Sequence, residues 1–483
     1  MADIKLWVLT DTEERVWEES FAISGEELGL GEGWSIRKST LRGGLSDGVD
    51  IIEVDNGALS FSVLPTRGME IWKGAYRGLP IGWQSPVRGP VHPQFVDLQE
   101  RGGLGFLTGF DEAIARCGLD STGAPCTDVV PNNMGEPTEV ELTLHGKVGN
   151  LPASRVEVQV IADDTSDGEM PELVVIGEVY ETGLFCPAYK LVSKVSTKVG
   201  SNGMAIVDEV TNLRGVEAEM ELLYHCNFGP PFLDEGAKLV TAARLVAPRD
   251  ARAVEGLDGY DTYLGPTPGY VEQAYWYDLL AEEDGSTLAM LRNGSGDRGL
   301  VLRFNKNQLP TFTQWKNTAA EGDGYVTGLE PATDYPNAKP FERTRGRVVT
   351  MEPGESYRME LAMEICDSAA GVEAVAEEIG VLQRQEERLV HEEPITEFSA
   401  VDQDEALMEH FVRIAGIETE VQAHLLEGVL EEREIPYLLR SYRDSSYDGL
   451  FQSRTTWGHI EAPEEFKEEI LGIVEDLKKE EEE

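Results

Sequence analysis

Apolar and polar side chains alternate with a period of two through the first 390 residues of this 483-residue chain. In RVEVQVIA (155–162), Val156, Val158 and Val160 fall on one side, and Arg155, Glu157 and Gln159 on the other. Such a segment buries a single face only as an extended strand, because a helix would spread the same residues around its circumference. IIEVDNGALSFSVLP (51–65), ELVVIGEVYE (172–181), YKLVSKVSTKVGSNGMAIVDEVTNL (189–213), GLVLRF (299–304) and GRVVTMEPGESYRMELAMEI (346–365) repeat the pattern. DNG, GSNG and PGES supply turns between them, and GSGDRG (294–299) reads as a hairpin turn, since no P-loop lysine or helix follows it. AAGVEAVAEEIGVLQRQEERL (369–389) reads as a helix. Many strands with few helices predict a mainly β fold, a large antiparallel sandwich or barrel.

Charge narrows the partners. Against 41 basic residues stand 89 acidic ones, a formal net charge of −48. A phosphate backbone or an anionic membrane face needs a positive footprint, so nucleic acid and membrane are excluded as partners. No run approaches the length of an apolar spanning helix, and the N-terminus lacks the apolar core of a signal peptide. Five scattered cysteines without CxxC spacing predict free thiols in a reducing cytoplasm, with no zinc site and no disulfide frame.

The acidity is uneven, with 26 acidic and 8 basic residues in 391–483. HEEPITEFSAVDQDEA (391–406) is polar, holds Pro394 and has no apolar period. It predicts an acidic linker between a β domain of residues 1–390 and a small domain of residues 407–483. In the latter, HFVRIAG, IPYLLRSY and WGHIEA read as strands. ETEVQAHLLEGVLEERE reads as a helix with Val421, Leu425, Val429 and Leu430 on one stripe and Thr419 near its N-cap. A last helix is expected to open at Pro463. The β-α-β-β-α order suits a small ferredoxin-like α+β fold. Its first helix resembles that of a small bacterial domain linked to signal transduction, and a role in self-association or protein partnering is the expectation for it.

Three segments carry candidate chemistry: LTLHGKVGNLPA around His145, VTNLRGVEAEMELLYHCNFGPPFL around His225, and FTQWKNTAAEGDGYVTGLEPATDYPN around Glu330. His145 and His225 are the two histidines within strand-like runs of the β domain; His92 sits in a loop and the other four lie beyond residue 390. Each alone reads as a structural residue, while the three together, each followed closely by Gly or Pro, point to a site.

LHG, TN–YHCNFG and GLEP followed by Pro-Asn resemble, in order and surroundings, the aldose 1-epimerase (galactose mutarotase-like) superfamily. The chain is most similar to a bacterial branch with runs like LPTRGMEI, GFDEAIARCGL, LYHCNFGPP, PRDARA and FTQWKNTAAEGDGYVTGLEPAT, over about Glu53 to Glu364. The resemblance implies a β-supersandwich with an open sugar-binding face, His225 as general acid, Glu330 as general base and His145 as a sugar-contacting helper. It also implies an arginine in the site. The Asn-Arg pair that carries it in better-known mutarotases is missing here, which leaves Arg67 and Arg116 as candidates. Glu272 and Asp323 are candidates for an acidic sugar ligand.

Anomer interconversion suits these residue types. A proton leaves the C1 hydroxyl while another reaches the ring oxygen, the ring opens, C1–C2 rotates, and reclosure yields the other anomer. One acid and one base suffice, without metal or cofactor, each contributing about 10²–10⁴-fold. Desolvation beside Tyr325, Leu329 and Tyr335 is expected to raise the Glu330 pKa, and histidine titrates near neutrality already. Trp315 could stack on a pyranose face, with Asn227, Gln314 and Lys316 reaching hydroxyls. Two alternatives stay open: a carbohydrate-binding or sensing module without turnover, and an isomerase of a modified sugar using the same acid–base pair.

Overall fold

A computed structural model describes residues 2–163, 170–399, 411–417, 419–433, 435, 437–441, 458–463, 466–467 and 469–474. The chain forms two compact units, residues 1–400 and 401–483.

The first unit is a mainly β sandwich. One large sheet runs through Ser356–Cys366, Gly203–Asn212, Ala188–Lys198, Glu172–Thr182, Arg155–Asp163 and Ala2–Asp11 in spatial order. The other runs through Gln273–Leu279, Thr311–Asn317, Val326–Ala332, Ala218–Phe228, Ile114–Leu119 and Glu70–Tyr76, then on through Leu59–Leu64 and Asp50–Asp55. These ladders are antiparallel, as period-two patterning with short turns requires. Val156, Val158 and Val160 are buried and meet Leu222, Tyr224 and Leu329 of the facing sheet in one apolar core. Between the paired strands Ser286–Arg292 and Gly299–Asn305, GSGDRG is a hairpin turn, pinned by Asn293 Nδ2 donating to Asp297 Oδ1 at 2.8 Å.

The expected helix forms as Ala369–Gln383, with the Ser368 hydroxyl accepting from the Gly371 amide. It buries Val372, Val375, Ile379 and Leu382 against Leu288, Met290 and Val301. It stops short of Leu389 because the Gln383 side chain pairs with both backbone groups of Ala243, and Leu389–Val390 then joins Leu245 and Val246 as a parallel edge strand. The following residues, read from composition as linker, continue on this unit as far as 399: the His391 amide donates to the Val246 carbonyl, and Phe398 packs with Trp276 and Tyr335.

In the second unit, strand Gly458–Pro463 lies between Phe411–Ile417 and Leu438–Ser441, antiparallel to both. Helix Glu420–Glu432 follows the first strand, and the Thr419 hydroxyl accepts from the Gln422 amide, a cap as expected. Its buried face is rotated from the expected stripe: Ala423, Leu426 and Leu430 pack on Ile417, Ile435 and Ile460, whereas Leu425 is 49% exposed. The side chain of Val421 lies outside the described residues. Pro463 ends a strand instead of opening a helix, and helical backbone appears at 467 and 469–474. Among the described residues no helix is long and apolar enough to cross a membrane.

Candidate functional site

The site grows from ladder register. Strands Ala218–Phe228 and Val326–Ala332 pair with Cys226 opposite Leu329 and Asn227 opposite Gly328, which sets His225 directly across from Glu330. Directly opposed side chains in an antiparallel pair share a face and touch. Here His225 Nε2 lies 3.3 Å from Glu330 Oε1, with the two residues only 5% and 2% exposed. Ala115 lies opposite His225 on the other side, and Cys117, Leu223 and Ala332 complete an apolar floor on the same face. Gly328 leaves the room: a Cβ there would come within 2.6 Å of Glu330 Oε1 and 2.7 Å of His225 Cε1.

Hydrogen bonds set the tautomers. Asn227 Nδ2 donates to the backbone carbonyls of Glu112 (3.0 Å) and His225 (2.9 Å), so its Oδ1 accepts the proton of His225 Nδ1 at 2.6 Å. His225 Nε2 is therefore bare in the neutral ring and faces Glu330. His145 Nδ1 likewise donates to the Thr122 carbonyl at 2.6 Å, leaving its Nε2 as acceptor. The His145 and His225 rings meet edge to face, centroids 5.3 Å apart, and Phe106, Phe110 and Trp315 close around them at 4.9, 5.0 and 5.5 Å.

Burial governs the proton inventory. It raises Glu330 from 4.5 to about 8, with the Glu272 charge adding to the shift and Arg249 opposing it. It also holds His225 well below 6.5, with neighbouring His145 pushing the same way, and lowers His145 to about 4. Near neutrality the contact at 3.3 Å is thus a neutral carboxylic acid beside a neutral imidazole, one proton on the pair. Glu330 Oε1 has no hydrogen-bond partner, a costly state for a buried oxygen that an incoming hydroxyl relieves. The expectation that histidine titrates near neutrality is displaced by desolvation. The raised Glu330 pKa appears as expected, but Leu329 and Tyr335 are not its neighbours across this face: Leu329 points into the intersheet core, and Tyr335 packs with Trp276 and Phe398.

The solvent-side edge is built by Trp315, whose indole N–H donates to Glu272 Oε2, while Glu272 Oε1 accepts from Arg249 Nη2 at 3.1 Å. Glu272 thus belongs to the site; Asp323 is exposed in the turn Glu321–Asp323.

The structure brings together His145, His225, Asn227, Trp315 and Glu330. It turns the other candidates away. Arg116 projects from the opposite face of its strand, fully buried, with Nε on Asp208 Oδ2 at 2.5 Å and Nη2 on Ser193 Oγ at 2.7 Å, a strut between the two sheets. Gln314 bonds the hydroxyls of Tyr277 and Tyr263 in the core. Lys316 Nζ is spent on the carbonyls of Gly259, Tyr260 and Thr262. Arg67 stands behind the site, its Nε on Glu112 and Nη1 on the Val91 carbonyl and Asn150 Oδ1. All four alternate with, or lie behind, site-facing residues, and a one-residue step in a strand reverses the face. Phe106, Phe110 and Thr122 were not singled out from sequence; aromatics and a threonine in glycine-rich loops carry no signal of their own until the loops are folded.

The family described as Domain of unknown function (DUF4432) matches residues 46–365. A solved Klebsiella pneumoniae protein, proposed in its description to be an aldose 1-epimerase, is 35% identical with a TM-score of 0.76, over 81% of this chain and 99% of its own. A galactose mutarotase-like protein from Clostridium acetobutylicum (15% identity, TM-score 0.46, 68% of this chain and 98% of its own) and galactose 1-epimerase from Lactobacillus acidophilus (13%, 0.43, 68% and 98%) are more distant. No curated protein matches the chain. With two-thirds of its length inside that family and a 35% identical relative spanned end to end, the chain belongs to the family described as Domain of unknown function (DUF4432) and is similar to that Klebsiella pneumoniae protein.

Proposed function

We propose that the protein interconverts the anomers of a free aldose, with Glu330 as base and His225 as acid. The observation that carries this reading is the directly opposed, buried Glu330–His225 pair, with Oε1 3.3 Å from Nε2 and that same oxygen without a hydrogen-bond partner. A sugar hydroxyl entering at Glu330 Oε1 stabilises the carboxylate, and the pair's proton then resides on His225 Nε2. Glu330 takes the proton of the C1 hydroxyl as the C1–O5 bond breaks, and O5 receives the Nε2 proton. After rotation about C1–C2, O5 attacks the carbonyl from its other face, returns its proton to Nε2, and O1 regains the proton from Glu330. The pair ends as it began, so the reaction needs no net proton from solvent. Trp315 supplies an apolar surface for the ring and His145 Nε2 an acceptor for a hydroxyl.

Polarimetry or exchange NMR on fresh α-anomers of a panel of aldoses tests the proposal. At least one sugar should equilibrate faster than the buffer rate, in proportion to protein added. Saturable binding by calorimetry with no acceleration for any sugar would replace the enzyme reading with that of a carbohydrate-binding protein.

A further inference from the structure

Behind His145 lies a second pair of acids that the reaction above does not use. Glu221 and Asp334 are 1% and 0% exposed and lie beside each other, each carboxyl feeling the other directly. One oxygen of each, Glu221 Oε1 and Asp334 Oδ2, has no hydrogen-bond donor. Their other oxygens converge on one residue: the Thr122 amide donates to Glu221 Oε2 at 3.2 Å, and the Thr122 hydroxyl to Asp334 Oδ1 at 3.3 Å. Thr333 Oγ1 braces Asp334 Oδ1 at 3.1 Å and accepts the Leu222 amide at 2.9 Å, tying the pair to the His225 strand. The carbonyl of the same Thr122 accepts from His145 Nδ1.

We propose that Glu221 and Asp334 are positioning residues: gripping Thr122 by its amide and hydroxyl, they aim its carbonyl so that His145 holds its proton on Nδ1 and keeps Nε2 as an acceptor. The link to turnover rests on the reading of His145 as a sugar contact, whereas the tautomer itself does not.

The test is the tautomer of His145 by two-bond ¹H–¹⁵N correlation on histidine-labelled full chain, together with KM and kcat for the most active aldose. Asp334→Asn keeps a donor between the two side chains; it should leave the Nδ1–H tautomer of His145 in place and KM within about twofold. Asp334→Ala removes the hydroxyl half of the grip and leaves Glu221 on the Thr122 amide; His145 should become a mixture of tautomers and KM rise about fivefold or more with kcat little changed. His225, held by Asn227, should not respond and serves as the internal control. An Asp334→Ala protein with an unaltered His145 tautomer overturns the proposal. Should that variant fail to fold, Thr122→Val, which deletes only the hydroxyl contact, should still broaden or shift the His145 signals, and an unchanged spectrum overturns the proposal equally. If no sugar is turned over, the tautomer alone decides, so failure of the positioning role and failure of the epimerase reading are told apart.

Discussion

Glu330→Gln should cripple turnover and at the same time stabilise the fold at mildly alkaline pH. The carboxyl has an ordinary value of 4.5 and is raised to about 8 in the folded protein. Between those values the folded state keeps a proton that the unfolded chain has released, so stability falls as pH rises. Below 6.5, His225 acts with the opposite sign, because the unfolded histidine binds a proton that the buried ring refuses. The window from pH 6.5 to 8 isolates Glu330. At 1.36 kcal/mol per pH unit, 1.5 units correspond to about 2 kcal/mol lost by the wild type. The amide does not titrate, yet can still donate to the bare Nε2 of His225, so the variant escapes that loss. Other raised acids, such as Asp111 and Glu181, titrate in both proteins and cancel in the difference. Urea unfolding of both proteins at pH 6.5 and pH 8 should show the variant gaining about 2 kcal/mol on the wild type over that interval. Polarimetry should show a loss of about 10²–10⁴-fold. Full activity in the variant, or parallel pH dependences of unfolding, would refute the argument.

The rate of anomer exchange should hold level through pH 6.5 and decline above about 8 as the pair loses its one proton; a midpoint near 6.5 would place the titration on an ordinary histidine instead. Gly328→Ala puts a methyl within 2.7 Å of both the Glu330 and His225 side chains and should cost about 1–3 kcal/mol of stability and at least tenfold in rate, read by melting and polarimetry. Asn227→Ala frees His225 Nδ1 and strands the Glu112 and His225 carbonyls, so it should cost at least about 1–3 kcal/mol of stability and lower kcat of the folded protein about tenfold to a hundredfold; a kcat within twofold of wild type contradicts its role. Arg116→Met strands the buried Asp208 carboxylate and should destabilise by about 3–5 kcal/mol, while KM of the folded fraction stays within twofold; a selective rise in KM would return Arg116 to the sugar site.

The sandwich was legible because alternation survives in strands with one face in a common core, as at Val156, Val158 and Val160. The meeting of His225 with Glu330, the proposed acid–base pair, was legible only as residue types in order. What register adds is invisible in one dimension: Gln314 and Lys316 flank Trp315, yet the pleat sends them into the core and it towards the site. Arg116 looked like a ligand because a planar cation in a glycine-flanked run looks the same whether it greets a substrate or fastens two sheets. The helix of the second unit shows the same limit, since Leu425 and Leu426 are equivalent in composition and one position decides which is exposed.

The strut of Arg116, Asp208, Ser193 and Tyr224 has a consequence for how such a protein can diversify. Tyr224, adjacent to His225 in the chain, donates its hydroxyl to Asp208 on the far sheet, so the strand bearing the imidazole is bolted from behind. A bolted anvil cannot be reshaped one mutation at a time without loosening the whole frame. On the proposed reading, new sugar preferences must instead be acquired by exchanging the pieces that lean over it, the loops of Phe106 and Phe110 and the edge of Trp315 and Glu272, while His225 and Glu330 stay where the frame holds them.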